Sequence, residues 1–94
     1  AYYLASKSFL TLSNLIKIDN IKQTKVRYII HCCCMIERLI QKESLPYNDI
    51  DKLIQSRLGV YNKIKLSLAI IEETFGLEVP DTEIGYIIEL INTQ

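Results

Sequence analysis

The chain has 94 residues, 49% of them hydrophobic, and its 11 lysines and arginines balance its 11 aspartates and glutamates. That length gives one core and one domain, burying roughly 60–65% of the surface exposed when unfolded, and zero net charge supplies no long-range field to draw the domain onto nucleic acid or an anionic membrane. Charges interrupt every apolar run well before the ~20 residues a membrane span needs, and Ala1-Tyr2-Tyr3-Leu4 lacks the basic start and apolar stretch of a signal peptide.

From Tyr3 to Ile18 the apolar positions Tyr3, Leu4, Phe9, Leu12, Leu15 and Ile16 recur at intervals that predict an amphipathic helix. Asp19-Asn20 breaks it with capping chemistry. The next helix is expected from about Thr24 to Lys42, with Val26, Ile29, Ile30, Cys33, Ile36 (or Glu37 on the rim) and Ile40 on its core stripe and no glycine or proline inside it. Ser44-Leu45-Pro46-Tyr47-Asn48-Asp49 reads as a turn, because Pro46 lacks an amide donor and biases Leu45 out of the helical region.

A short helix restarts near Ile50 and runs to Leu58, with Gly59 as its C-cap or as a bend into the next element. Tyr61 to Phe75 returns to helical spacing through Ile64, Leu68, Ile71 and Phe75, and Gly76 is the expected residue just past its end. Leu77-Glu78-Val79-Pro80 links to a last helix in which Asp81, Thr82 and Glu83 act as first-turn charges and caps. Ile84, Tyr86, Ile87, Ile88, Leu90 and Ile91 crowd that helix with apolar groups, which implies burial on several sides. The fold class expected is all-α, a bundle of about five helices spanning residues 1–94 as a single domain. With no methionine at its start, the chain is expected to be a fragment of a longer protein.

Candidate chemistry centres on Ile29 to Ile40, which holds the single histidine and all three cysteines. Pattern leaves three readings of His31 open. It is a partly buried core histidine with satisfied nitrogens, or a nucleophile towards phosphorus with Arg27 and Arg38 at i−4 and i+7 to steady an anion, or a metal ligand with Cys34, although no second ligand pair stands at a zinc spacing. The consecutive cysteines point about 100° apart on a helix, so they form no disulfide framework and fit small hydrophobes in a reducing compartment. Glu72-Glu73 point apart and Glu83 reads as a helix-start charge, which disfavours hydrolase chemistry. No glycine-rich phosphate loop and no Ser/His/Asp set is present, so no enzyme activity, cofactor or metal is expected.

Two segments together resemble the phosphotransferase-system regulation domain of bacterial sugar-operon regulators. The first is His31-Cys32-Cys33-Cys34-Met35-Ile36-Glu37-Arg38-Leu39, similar to the family's histidine followed, after a spacer, by an apolar residue and Glu-Arg-Leu. The second is Phe75-Gly76-Leu77-Glu78-Val79-Pro80-Asp81-Thr82-Glu83-Ile84-Gly85-Tyr86-Ile87, similar to the family's glycine-ended helix, proline, acidic start and Glu-Ile-Gly/Ala-Tyr/Phe-Ile. The resemblance implies a five-helix bundle that pairs as a homodimer in the cytoplasm and is regulated by phosphorylation on histidine. The phosphocarrier HPr or a sugar-specific EIIB component would donate to His31, with Arg27 and Arg38 as candidate phosphate supports. Other domains of the parent regulator would carry the output.

The family's second histidine position falls on Leu90, with Glu89 before it, which leaves His31 as the sole acceptor. A last helix ending Tyr86-Ile87-Ile88-Glu89-Leu90 resembles the levanase-type, sigma-factor-dependent activators more than the antiterminators. The competing expectation is a helical interaction or dimerisation module with a structural histidine. A redox or metal sensor built on the cysteines is a third.

Overall fold

The computed structural model describes residues 1–92, and five helices account for most of them: α1 (Tyr2–Leu15), α2 (Ile21–Ile40), α3 (Ile50–Ser56), α4 (Leu58–Phe75) and α5 (Asp81–Asn92). Among the described residues there is no strand, so the fold is the all-α bundle of five helices expected from the periodicity. α1 packs on α2 and α4, α5 packs on α2 and α4 from the other side, and short α3 lies against α4 and α5. No Cα of α2 comes within 8 Å of one in α4. The four long helices therefore form a closed ring, with α1 and α5 as the two links between α2 and α4.

Inside the ring lie Phe9, Leu12, Tyr28, Met35, Ile64, Leu68, Ile71, Ile84, Ile87 and Ile88. Burying aliphatic side chains of this size contributes ~1.5–3 kcal/mol each before the entropy of ordering them is charged against it. One polar knot crosses this interior. Ser8 of α1 donates to the Ser67 carbonyl of α4 at 2.6 Å, and Ser67 Oγ donates to Ile64 O at 2.8 Å. Each serine hydroxyl has then used its one proton, so the Tyr28 hydroxyl of α2 is the donor to Ser8 Oγ at 2.7 Å, with Ser67 Oγ at 3.3 Å.

Helix ends follow local chemistry. Gly76 takes the left-handed conformation (φ 64°) after α4, and Leu77 N–H reaches Glu72 O at 3.1 Å to close a Schellman turn. Val79 N–H then donates to the Glu72 carboxylate at 2.8 Å, which ties the proline-containing link back onto α4. A second Schellman turn ends α2, where Lys42 adopts φ 60° and Glu43 N–H bonds Arg38 O at 2.8 Å. No glycine stands there, so the motif is invisible to a search for helix-ending glycines. Gly85, within α5, is needed for a different reason: a Cβ there would collide with Ile50 Cδ1 and lie 3.3 Å from the Tyr47 ring. Its bare backbone lets the Ser44–Asp49 turn and α3 seat on α5, and the Tyr86 hydroxyl donates to Pro46 O in the same seam.

Two sequence expectations need correction. The core face of α2 is Thr24, Tyr28, Ile29, Cys32, Met35 and Ile36, whereas Val26, Ile30 and Ile40 are each 58% exposed and Cys33 is half-buried. Apolar residues surround this helix, so periodicity alone did not fix its rotation, and the Tyr28 knot pulls the other side inward. Gly59 neither caps α3 nor bends the chain; the break falls at Arg57 (φ −133°, ψ 39°), and Gly59 lies in the first turn of α4.

Candidate functional site

His31, near the middle of α2, faces the first turn of α5. The helix pair is set by apolar packing: Met35 and Ile36 of α2 and Ile84, Ile87 and Ile88 of α5 all belong to the common core. That packing brings Glu83 into the seam, where its side chain is only 1% exposed. Arg38, two turns after His31, meets it as a two-pronged fork, with Nε donating to Oε2 at 2.9 Å and Nη2 donating to Oε1 at 2.8 Å. The imidazole Nε2 of His31 lies 3.1 Å from the same Oε1. Its approach is oblique: Nε2 is sealed from solvent and its contact with the carboxylate is electrostatic, without a directed hydrogen bond.

The electrostatics are those of a buried carboxylate between two potential cations. Burial alone would raise the Glu83 carboxyl, but His31 and the Arg38 guanidinium outweigh it and hold the group at about 2, against 4.5 normally. Glu83 in turn holds Arg38 more firmly protonated than usual. Glu83 is therefore ionised at neutral pH. A carboxylate and an unprotonated imidazole nitrogen are both acceptors and would repel at this distance, so Nε2 is the nitrogen that carries the proton in this arrangement. Thr82 Oγ1, one residue before Glu83, is a second sealed polar atom without a hydrogen-bond partner.

Of the residues singled out from sequence, His31 and Arg38 come together here. Arg27 does not: it is exposed on α2 and makes no hydrogen bond or ion pair among the described residues. The reading of Glu83 as a first-turn helix charge holds but leaves out its partners. The residue does occupy the first turn of α5, but its side chain turns inward to α2. Cys32 is buried, and burial foremost pushes its thiol up to about 12, so it stays protonated; Cys33 is half-buried and Cys34 exposed. Among the described residues no group of three His, Cys, Asp or Glu side chains is gathered to hold a metal ion. No described helix is long and apolar enough to cross a membrane.

These features define an all-α bundle whose single histidine sits at a helix–helix seam against a guanidinium–carboxylate pair. The PRD domain family matches this chain over residues 8–94, and the chain belongs to that family. The chain is also 26% identical over 80 residues to the transcriptional regulatory protein DagR of Salmonella typhimurium, a match covering 85% of this chain and 9% of that protein. No solved structure matches.

Proposed function

We propose that this PRD domain is the sensory part of a bacterial transcription regulator and that His31 accepts a phosphoryl group from the phosphotransferase-system proteins HPr or EIIB. The reading rests on the family and on the regulator named among its relatives. The single observation that carries it to His31 is the convergence of His31 and Arg38 on one point, the Glu83 Oε1 atom. An imidazole nitrogen is a competent nucleophile towards phosphorus, and a guanidinium fork matches the geometry of a phosphoryl group. Phosphorylation adds about −1.5 to −2 charges and strong acceptor oxygens, which makes it a local switch for any packing that brings charges close. Leu90 stands where the resemblance sets the family's second histidine and has no nucleophilic atom, so His31 is the sole acceptor. Pairing as a homodimer and output through other domains of the parent regulator belong to the same proposal.

Incubation with enzyme I, HPr, candidate EIIB proteins and labelled phosphoenolpyruvate should give an acid-labile label that is absent from His31→Ala. Equal labelling of that variant would sink the assignment.

The competing reading, a helical interaction module with a structural histidine, draws on the sealed Nε2 atom. It expects no label with any donor and a clear loss of thermal stability in His31→Ala. The phosphoacceptor reading expects that variant to keep its fold and lose the label.

A further inference from the structure

Oε1 of Glu83 lies 3.1 Å from His31 Nε2 and 2.8 Å from Arg38 Nη2. An oxygen of a phosphoryl group bonded to Nε2 would lie on the same side of that nitrogen and somewhat closer to it, so the group and the carboxylate could not both occupy this space. The carboxylate thus stands where such an oxygen would be, in contact with the guanidinium that would bind it. We propose that Glu83 is the positioning residue that gates His31: its carboxylate holds the phosphoryl seat in the unmodified protein, and acceptance at Nε2 moves Arg38 from Glu83 to the phosphate. This inference rests on the phosphoacceptor reading above.

Glu83 closes the gate in three ways. It fills the space beside Nε2, which is sealed from solvent. It also keeps the Nε2 proton in place, so the lone pair needed for attack sits on Nδ1 until the carboxylate leaves. Lastly, as a buried anion with 1% of its side chain exposed, it repels an incoming phosphate at short range with little solvent screening.

Once Glu83 withdraws, the proton settles on Nδ1 and the Nε2 lone pair attacks phosphorus. The donor's bond to phosphorus breaks and its electron pair leaves with the donor's side chain; that side chain takes up one proton from solvent while the phosphorylated His31 ring gives up its Nδ1 proton, so no net proton is consumed. Arg38 then pairs with the new phosphate oxygens, and Glu83 is left without its fork. Glu83 is the one α5 side chain in this ion pair with α2, so the exchange releases the first turn of α5 from α2.

The test uses potassium phosphoramidate, a small nitrogen–phosphorus donor that needs no docking surface, alongside phosphorylated HPr. Labelling is followed by phosphorus NMR, which separates the two ring nitrogens, in the native protein, Glu83→Gln and Glu83→Ala. Emptying or neutralising the seat should speed labelling at Nε2 by about tenfold or more. The partner measurement is hydrogen exchange on the native protein, where the label should loosen the backbone amides of residues 83–85, the first bonded ones of α5, while those in the interior of α1 keep their protection.

Label on Nδ1, or variants that label no faster than the native chain, would overturn the gate while leaving His31 an acceptor. So would native protein whose α5 exchange is unchanged by the label, a result that stands even if a variant fails to fold. A native chain that takes no label while Glu83→Gln does would support the gate strongly. Absence of label in every chain and with both donors would overturn the gate and the phosphoacceptor reading together.

Discussion

Arg38→Ala offers the sharpest test of what holds α5 to α2. The substitution removes two hydrogen bonds of 2.8 and 2.9 Å from a carboxylate that is itself almost wholly buried. Stranding one partner of a buried pair costs ~3–5 kcal/mol. A separate route gives a similar size. The Glu83 carboxyl is held at about 2 against 4.5, and at ~1.4 kcal/mol per unit that difference amounts to ~3 kcal/mol of stability at neutral pH, already net of desolvation.

Urea unfolding followed by circular dichroism at 222 nm should show Arg38→Ala losing ~3 kcal/mol, a fall in Tm of roughly 10–20 °C for a domain of this size. Combining it with Glu83→Gln should recover much of the loss, because the stranded charge is gone, with a coupling of ~2 kcal/mol in the double-mutant cycle. A loss below ~1 kcal/mol, or a coupling near zero, would mean the pair behaves like an exposed salt bridge and would refute the reasoning.

Three further outcomes follow from the same structure. The folded pKa of Glu83 lies below its unfolded value, so its contribution to stability is complete above pH ~4.5 and is lost as pH falls towards ~2; acid titration of the native chain against Glu83→Gln should show the native chain losing its advantage across that window. Lys42 holds a left-handed conformation, φ 60°, without being glycine, and Lys42→Gly should raise stability by up to ~1 kcal/mol in thermal melts. Gly85→Leu should lower it by ~2 kcal/mol, because the new side chain must displace Ile50 and Tyr47 from α5, and overpacking of that kind outweighs the helix propensity gained.

The helix count, the turn at Ser44–Asp49 and the Gly76 ending were legible because each depends on residues close in sequence: period, proline chemistry and the left-handed glycine. The rotation of α2 was not. Its apolar residues nearly encircle the helix, and what decides between faces is the hydroxyl of Tyr28, which needs Ser8 and Ser67 from two other helices. The partner of Glu83 was hidden for a related reason. An acid in a helix's first turn is well explained by the helix dipole, so nothing local asks for a partner 45 positions away in sequence. A signal was nevertheless available: of the two motifs that carry the family resemblance, one contains Arg38 and the other Glu83, and unlike charges fixed in separate motifs are candidates for a pair. Arg27, chosen by helical spacing from His31, shows the limit of that spacing, since it lies on the same helix but outside the seam.

The ring of four helices has a mechanical corollary. The α2 and α4 backbones do not approach each other directly and are bridged by α1 on one side and α5 on the other, like opposite corners of a frame braced by two struts, with the Tyr28–Ser67 hydroxyl contact reaching across between them. The α1 strut is locked by the Tyr28 hydroxyl and its two serines, a set of neutral hydroxyl hydrogen bonds. The α5 strut is fastened partly by a charge pair. The two struts therefore differ in what could undo them: a change of charge at the seam acts on the α5–α2 fastening and leaves the hydroxyl fastening of α1 as it is.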